Sequence, residues 1–306
     1  MLVVVALGGN ALARRGERLD VETQRVNVKT AVRALADLVA EHDVVVTHGN
    51  GPQIGQLALQ AEAVADGRTP LDVLGAESEG MIGYLLDQEL ANLLPGRDVA
   101  TLLTQVVVAS DDPAFARPTK PVGPVYDEAT ARRLASERGW SVAPDGDRWR
   151  RVVPSPAPQR VVELRTISLL LDAGVVVVCA GGGGIPVTVD GAGGLVGVEA
   201  VIDKDRSAAL LAEALGADTL LLLTDAAAVA TGWGTPSARS IRRAGVAALS
   251  TLPWAEGSMG PKIEATCRFV ERTGGQAAIG ALEDAAAIVR GDAGTTVVAT
   301  GPIELW

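Results

Sequence analysis

The chain has 306 residues, 48% of them hydrophobic and 21% charged, with 37 acidic against 27 basic side chains and a formal net charge of −10. That composition suits a globular protein long enough for one large α/β domain or two modest lobes, and its acidity argues against a nucleic-acid backbone as main partner. Two cysteines, Cys179 and Cys267, and two histidines, His42 and His48, leave no Cys/His zinc site and at most one histidine-based triad.

Taken in chain order, the first predicted strand is Leu2–Leu7, which runs into Gly8-Gly9 with no basic stretch before it, unlike a secretory leader. Thr23–Glu41 follows as a helix, with Val28, Val32, Leu35, Leu38 and Val39 on one stripe. Val44–Thr47 reads as a strand, Ser78–Leu94 as a helix and Thr101–Val108 as a strand. From Pro113 to Pro158 the chain is dense in Pro, Arg and Asp, with a helix at Glu128–Glu137. It reads as an inserted excursion with its own short hairpin, either a lid facing substrate or a surface decoration. The pattern resumes with a helix at Val161–Asp172, a strand at Val175–Cys179 and a helix at Arg206–Leu215. A soft boundary falls near Gly216, before a strand at Leu220–Thr224, a helix at Ile263–Arg272 and a strand at Thr296–Ala299. Strands apolar throughout, alternating with helices, predict an open, mainly parallel sheet covered on both faces. No apolar run reaches the roughly 18 residues of a membrane helix. With two lone cysteines, the expected compartment is the cytoplasm.

Three glycine-rich loops sit directly after predicted strands: Gly8-Gly9-Asn10, Gly49-Asn50-Gly51 and Gly181 to Gly184. One such loop is an ordinary tight turn. Three on one edge of a parallel sheet suggest backbone amides gathered around an anion at the strand C-termini. Neither a Walker A pattern nor a dinucleotide fingerprint is present.

The basic residues are 23 Arg and only four Lys: Lys29, Lys120, Lys204 and Lys262. Lys29 fits a solvated helix face. The others stand in unusual settings, Pro-Thr-Lys120-Pro, Asp203-Lys204-Asp205 and Gly260-Pro261-Lys262. A chain that otherwise uses Arg keeps Lys where a compact ammonium is wanted. Asp203-Lys204-Asp205 admits two readings, with Asp205 either a helix N-cap or an organiser that aims two ammonium groups at one point. Lysines, glycine amides and an organising carboxylate suit phosphoryl transfer, which needs charge neutralised and reactants held in line.

The motifs, in order, are Val4–Ala11 around Gly8-Gly9-Asn10, Thr47–Gln53, Gly80–Tyr84, Asp112-Pro113, Pro118–Pro121, Arg151–Pro156, Gly181–Val187, Val201–Asp205 and Gly257–Lys262. Over nearly its whole length the chain resembles the carbamate kinases of the amino-acid kinase superfamily. That resemblance implies a homodimer of three-layer αβα subunits catalysing ADP + carbamoyl phosphate ⇌ ATP + carbamate with Mg²⁺. It implies an N-terminal lobe, residues 1–215, for the carbamoyl-side ligand, a protruding subdomain at about 113–158, and a nucleotide lobe, residues 216–306. Lys204 and Lys262 are implied to bind the phosphoryl group in flight, Asp205 to orient them, and Lys120 to reach in from the subdomain. Gly8, Gly9, Asn10, Gly49, Asn50, Gly51, Gly183 and Gly184 would contact substrate. Thr224, Asp225, Trp233, Met259 and Gly260 would contact the nucleotide, whose phosphates would hold the Mg²⁺. Glu79 stands where the family pattern leads one to expect Gln, Trp254 where it leads one to expect Phe, and Thr224–Pro236 is plainer than usual. The alternatives are a phosphotransferase for another small carboxylate or phosphonate, or a non-catalytic carbamoyl phosphate or nucleotide-binding regulator.

Overall fold

The computed structural model describes residues 1–13, 17–63, 69–254 and 259–306. The first strand, β1 (Leu2–Leu7), leads through one helical turn, α1 (Gly9–Leu12), into α2 (Val21–Glu41) and back to β2 (Asp43–His48). Helices α3 (Gly51–Ala63) and α4 (Leu71–Leu93) precede β3 (Val99–Thr101) and β4 (Gln105–Val108). Then β5 (Lys120–Tyr126), α5 (Glu128–Arg138), β6 (Ser141–Asp145) and β7 (Arg148–Val153) form a small antiparallel sheet, ordered β5-β7-β6, with one helix against it. The chain continues through β8 (Pro158–Val161), α6 (Leu164–Asp172), β9 (Val176–Val178), β10 (Ile185–Val189), β11 (Leu195–Gly197) and α7 (Lys204–Leu215). It ends with β12 (Thr219–Thr224), β13 (Ala230–Thr231), β14 (Arg239–Gly245), α8 (Val246–Ser250), α9 (Met259–Thr273), β15 (Gln276–Ala281), α10 (Ala285–Arg290), β16 (Thr295–Val298) and β17 (Glu304–Leu305).

The main sheet has ten strands in the order β13-β14-β16-β15-β12-β1-β2-β9-β3, with β17 also on β14. From β15 across to β3 every pairing is parallel. Antiparallel pairing enters only beyond β15, where β16 joins it. Alternate residues of each central strand feed opposite cores, as a period of two demands. Val3, Val5 and Leu7 pack with α2, α4 and α10, while Val4 and Ala6 pack with α7 and α9. Apolar side chains on both faces therefore make a three-layer αβα sandwich, as the unbroken apolar strands predict.

The helix expected from Val161 starts at Leu164, since Val161 ends β8 opposite Val106, and two other elements differ more from the sequence reading. Thr101–Val108 is not one strand: β3 belongs to the main sheet, whereas β4 pairs with β8 and β10 in a second, four-stranded sheet. The chain turns between them because the Thr104 amide donates to the buried Glu79 carboxylate at 3.1 Å. Helix α4 begins at Leu71 rather than Ser78, because Leu71 and Leu74 pack with Ile54, Val122 and Val153 in a satellite core beneath the small sheet. Lys29 is exposed on α2.

Candidate active site

Because β1, β2 and β9 are parallel, the loops that follow them open at one edge of the sheet. There they border a cavity of about 250 Å³ lined by Gly9, Gly49 to Pro52, Ile54, Lys120 to Val122, Gly182, Val201 to Asp205, Pro261 and Lys262. Close approach dictates the glycines. A methyl group at Gly49 would stand 2.9 Å from the Gly9 nitrogen, and one at Gly182 would collide with the Asn50 amide. Gly182 also adopts a left-handed φ of 67°, which glycine takes without steric cost.

Helices α7 and α9 bring the lysines to this cavity. They lie side by side and parallel, tied at their starts by Asp205–Lys262 and Arg206–Glu264 and further along by Glu213–Arg272. Their buried faces share Ala208, Leu211, Ile263, Phe269 and Val270 in one core. Both N-termini, with their positive dipole ends, therefore face the same space.

Asp203 is the N-cap of α7: its Oδ1 accepts the backbone amides of Asp205 at 3.0 Å and Arg206 at 3.3 Å. This corrects the capping reading of Asp205. With the cap supplied two residues earlier, the Asp205 carboxylate is free to face the cavity. Its Oδ1 accepts from Lys204 Nζ at 2.5 Å and its Oδ2 from Lys262 Nζ at 3.1 Å. Burial alone would raise the Asp205 pKa; the two ammonium groups outweigh it and hold the carboxyl at about 2. Burial, with Lys262 beside it, pulls the Lys204 ammonium below the usual lysine range despite Asp205. Lys120, the first residue of β5, enters from the opposite wall, its Nζ 2.6 Å from Asp203 Oδ2.

The other expected residues are placed as follows. Gly9, Gly49, Asn50 and Gly51 line the cavity, and the Asn10 side chain lies outside the described residues. Asn50 Nδ2 donates to Ser78 Oγ at 2.8 Å, and that hydroxyl donates to the Gly75 carbonyl. Gly8 continues the sheet, its amide donating to Leu223 O at 3.0 Å. Gly183 and Gly184 are not on the wall; Gly182 is. A methyl at Gly183 would meet the Ile202 carbonyl at 2.5 Å, and one at Gly184 the Thr104 carbonyl at 3.0 Å, so these two serve close packing behind the wall. Thr224 ends β12, and its Oγ1 donates to the carboxylate of the following Asp225 at 3.1 Å. Trp233 is 76% exposed in the turn between β13 and β14. Met259 and Gly260 open α9, Met259 packing on the core. These five are not on the wall of the cavity. Gly257 and Ser258 lie outside the described residues.

Sequence reasoning missed the roles of Asp203, Ser78 and Glu79. Glu79 is buried and accepts the amides of Gly181 at 2.7 Å and Thr104 at 3.1 Å, fixing the third glycine loop from behind. Burial pushes its carboxyl up to about 8. The one sequence signal was its unexpected identity before Gly80. His48 is fully buried, its ring pulled down to about 4 by burial, and its Nε2 makes no hydrogen bond. Among the described residues no three His, Cys, Asp or Glu side chains gather as a metal site.

The amino acid kinase family profile matches residues 1–280. The chain is 55% identical over 301 residues to a carbamate kinase of Rhizobium meliloti, covering 97% of this chain and 93% of the relative. It is 53% identical over 299 residues to one of Haemophilus influenzae, covering 97% and 96%. A solved structure of carbamate kinase from Giardia lamblia bound to AMP-PNP superposes with a TM-score of 0.90 at 38% identity, covering 97% of this chain and 98% of that one. The chain belongs to the amino acid kinase family and, within it, to the carbamate kinases.

Proposed function

We propose that the cavity is the phosphoryl-transfer centre of a carbamate kinase, ADP + carbamoyl phosphate ⇌ ATP + carbamate. The observation that carries this reading is the convergence of Lys204 and Lys262 on Asp205 beside the Gly9 and Gly49 loops. In the forward direction the bond between phosphorus and the carbamoyl oxygen breaks and one to an ADP β-phosphate oxygen forms. No proton need move, because both the attacking and the departing oxygens are anionic. The buried, neutral His48 is accordingly not required as a base. Lys204 and Lys262 neutralise the migrating group, and Asp205 keeps two like charges close together.

Lys120 meets the carbamoyl side from β5. Residues 1–215 act as the carbamoyl-side lobe and 216–306 as the nucleotide lobe, with Thr224, Asp225, Trp233, Met259 and Gly260 around the nucleotide. The two parts of the main sheet meet at the β1–β12 pairing, which supports this division. Mg²⁺ enters with the nucleotide as part of the substrate. Both Asp203 and Asp205 are already engaged by ammonium groups, which supports that reading over a protein-held metal.

The chain works as a homodimer in the cytoplasm. Val73 on α4, Leu103, and the cross-strand pair Val189 and Leu195 on the β10–β11 ribbon are exposed apolar side chains on elements that pack together, a surface suited to a second copy. No helix among the described residues is long and apolar enough to cross a membrane.

The test is ATP formation from MgADP with carbamoyl phosphate, set against acetyl phosphate and a phosphonate analogue. Turnover fastest with carbamoyl phosphate supports the reading. A preference for another acyl phosphate, or nucleotide binding without turnover, replaces it with one of the alternatives. Light scattering on the eluted protein tests the dimer, and a monomer mass rejects it.

A further inference from the structure

The Asp203 carboxylate serves two elements at once. Its Oδ1 caps α7, the helix that carries Lys204 and Asp205, and its Oδ2 holds Lys120 Nζ at 2.6 Å from across the cavity. Lys120 is the only lysine of the small β5-β7-β6 sheet and sits at its near corner, paired in register with Val153. The Asp203 side chain is 13% exposed and that of Lys120 38%, so the pair lies at the cavity margin with its carboxylate largely out of water. Burial works against the Asp203 charge, but Lys120 and the capped amides more than compensate and keep the carboxyl below its ordinary range.

An ammonium has three N–H donors. One goes to Asp203, which leaves two for an anion in the cavity. A lysine on a four-carbon stem otherwise loses rotamer freedom when it closes on a substrate. Here that freedom is lost on folding, before substrate arrives. We propose that Asp203 is the positioning residue for Lys120: a single carboxylate fixes the start of the helix that aims Lys204 and, through its other oxygen, holds the subdomain ammonium over the same substrate. The inference rests on the reading that this cavity takes carbamoyl phosphate.

The variant Asp203→Asn separates the two duties. Asn caps a helix as well as Asp does, but its NH₂ group cannot accept from an ammonium. The expected result is a KM for carbamoyl phosphate raised about tenfold, kcat within about threefold and a Tm lowered only slightly by the lost ion pair. Asp203→Ser, which also caps, should repeat this result and guards against a folding fault peculiar to the amide. Lys120→Ala should raise the same KM in the wild-type background but add little in the Asp203→Asn background, because the two residues act as one unit. An unchanged KM in both Asp203 variants, a lowered Tm as their only effect, or equal Lys120→Ala penalties in the two backgrounds overturns the inference. If Lys120→Ala leaves KM untouched, the failure is that of the substrate reading itself; if only the Asp203 variants leave it untouched, the substrate reading stands and the positioning role falls.

Discussion

Glu79 accepts the Gly181 backbone amide at 2.7 Å while its second oxygen holds the Thr104 amide, so one buried side chain of α4 anchors the glycine turn after β9 and bends the chain between β3 and β4. Burial pushes this carboxyl from 4.5 up to about 8. Between those values the native chain keeps a proton that the unfolded chain has released, so stability falls as pH rises, by about 1.4 kcal/mol per pH unit. His48 acts in the opposite sense. Its ring is pulled from 6.5 down to about 4 by burial, so between those values the unfolded chain binds the extra proton and stability climbs with pH. The two slopes offset one another from pH 4.5 to 6.5 and leave a net decline from 6.5 to 8. Chemical denaturation across the upper window should show that decline. Glu79→Gln should flatten it, at a cost of about 1–3 kcal/mol for the backbone amide that a single carbonyl oxygen cannot serve. A wild-type curve level across that window would contradict the assignment.

The lysines make a second prediction. Removing a preorganised cation from a transferring phosphoryl group costs on the order of 10²–10³ in rate. Lys204→Ala and Lys262→Ala should each lose at least that much in kcat, whereas Lys29→Ala, exposed on α2, should behave as wild type. Asp205→Asn should be comparably damaging, since the ammonium groups of Lys204 and Lys262 would then repel one another without a shared counter-charge. The measurement is steady-state ATP formation, with circular dichroism to show that each variant is folded. Near-normal turnover of Lys262→Ala would remove it from the site.

Much of this was legible in the residues. Val3, Val4 and Val5 report a strand buried on both faces, and the scarcity of lysine singled out three ammonium groups, two of which share one carboxylate. What stayed hidden depends on contacts between distant segments. Asp203 and Asp205 are the same residue type two positions apart, and only the helix start decides which one caps. Gly182 rather than Gly183 and Gly184 faces the cavity because Ile202, Val106 and Thr104 crowd the latter pair from behind. Thr101–Val108 looks like one strand until Glu79, on another element, draws the Thr104 amide out of line.

Thiol chemistry gives a third prediction. Cys179 is wholly buried beside Glu79 and Glu163, and burial, with those carboxylates, drives its thiol far above the ordinary value. Cys267 is buried on α9 and pushed up to about 11, again by burial first, with Glu271 adding to it. The thiolate is the reactive form. The native enzyme at mildly alkaline pH should therefore release no chromophore from an aromatic disulfide reagent, and the unfolded chain should release two equivalents. Rapid labelling of the folded protein would show that one of these thiols is reached without unfolding.

Trp233 supplies the last test, because its exposure is unusual for so large an apolar ring. It projects from a turn held by Thr235 Oγ1 donating to the Gly232 carbonyl at 2.7 Å, on the β13–β14 strand pair at one end of the main sheet. A ring left in water is ready to stack on a purine, and base–aromatic stacking is worth about 1–3 kcal/mol by alanine substitution in proteins that bind single-stranded nucleic acids. Trp233→Ala should then raise the KM for ADP at least fivefold, by the lower end of that range, while leaving the KM for carbamoyl phosphate unchanged. Titrating ADP into the wild-type protein should quench tryptophan emission, and Trp233→Phe should abolish most of that quench while keeping most of the affinity. Trp306 donates its amide to Ser240 on β14 and Trp254 precedes α9, so a quench that survives in Trp233→Phe would belong to one of those rings and would show that Trp233 does not stack on the base.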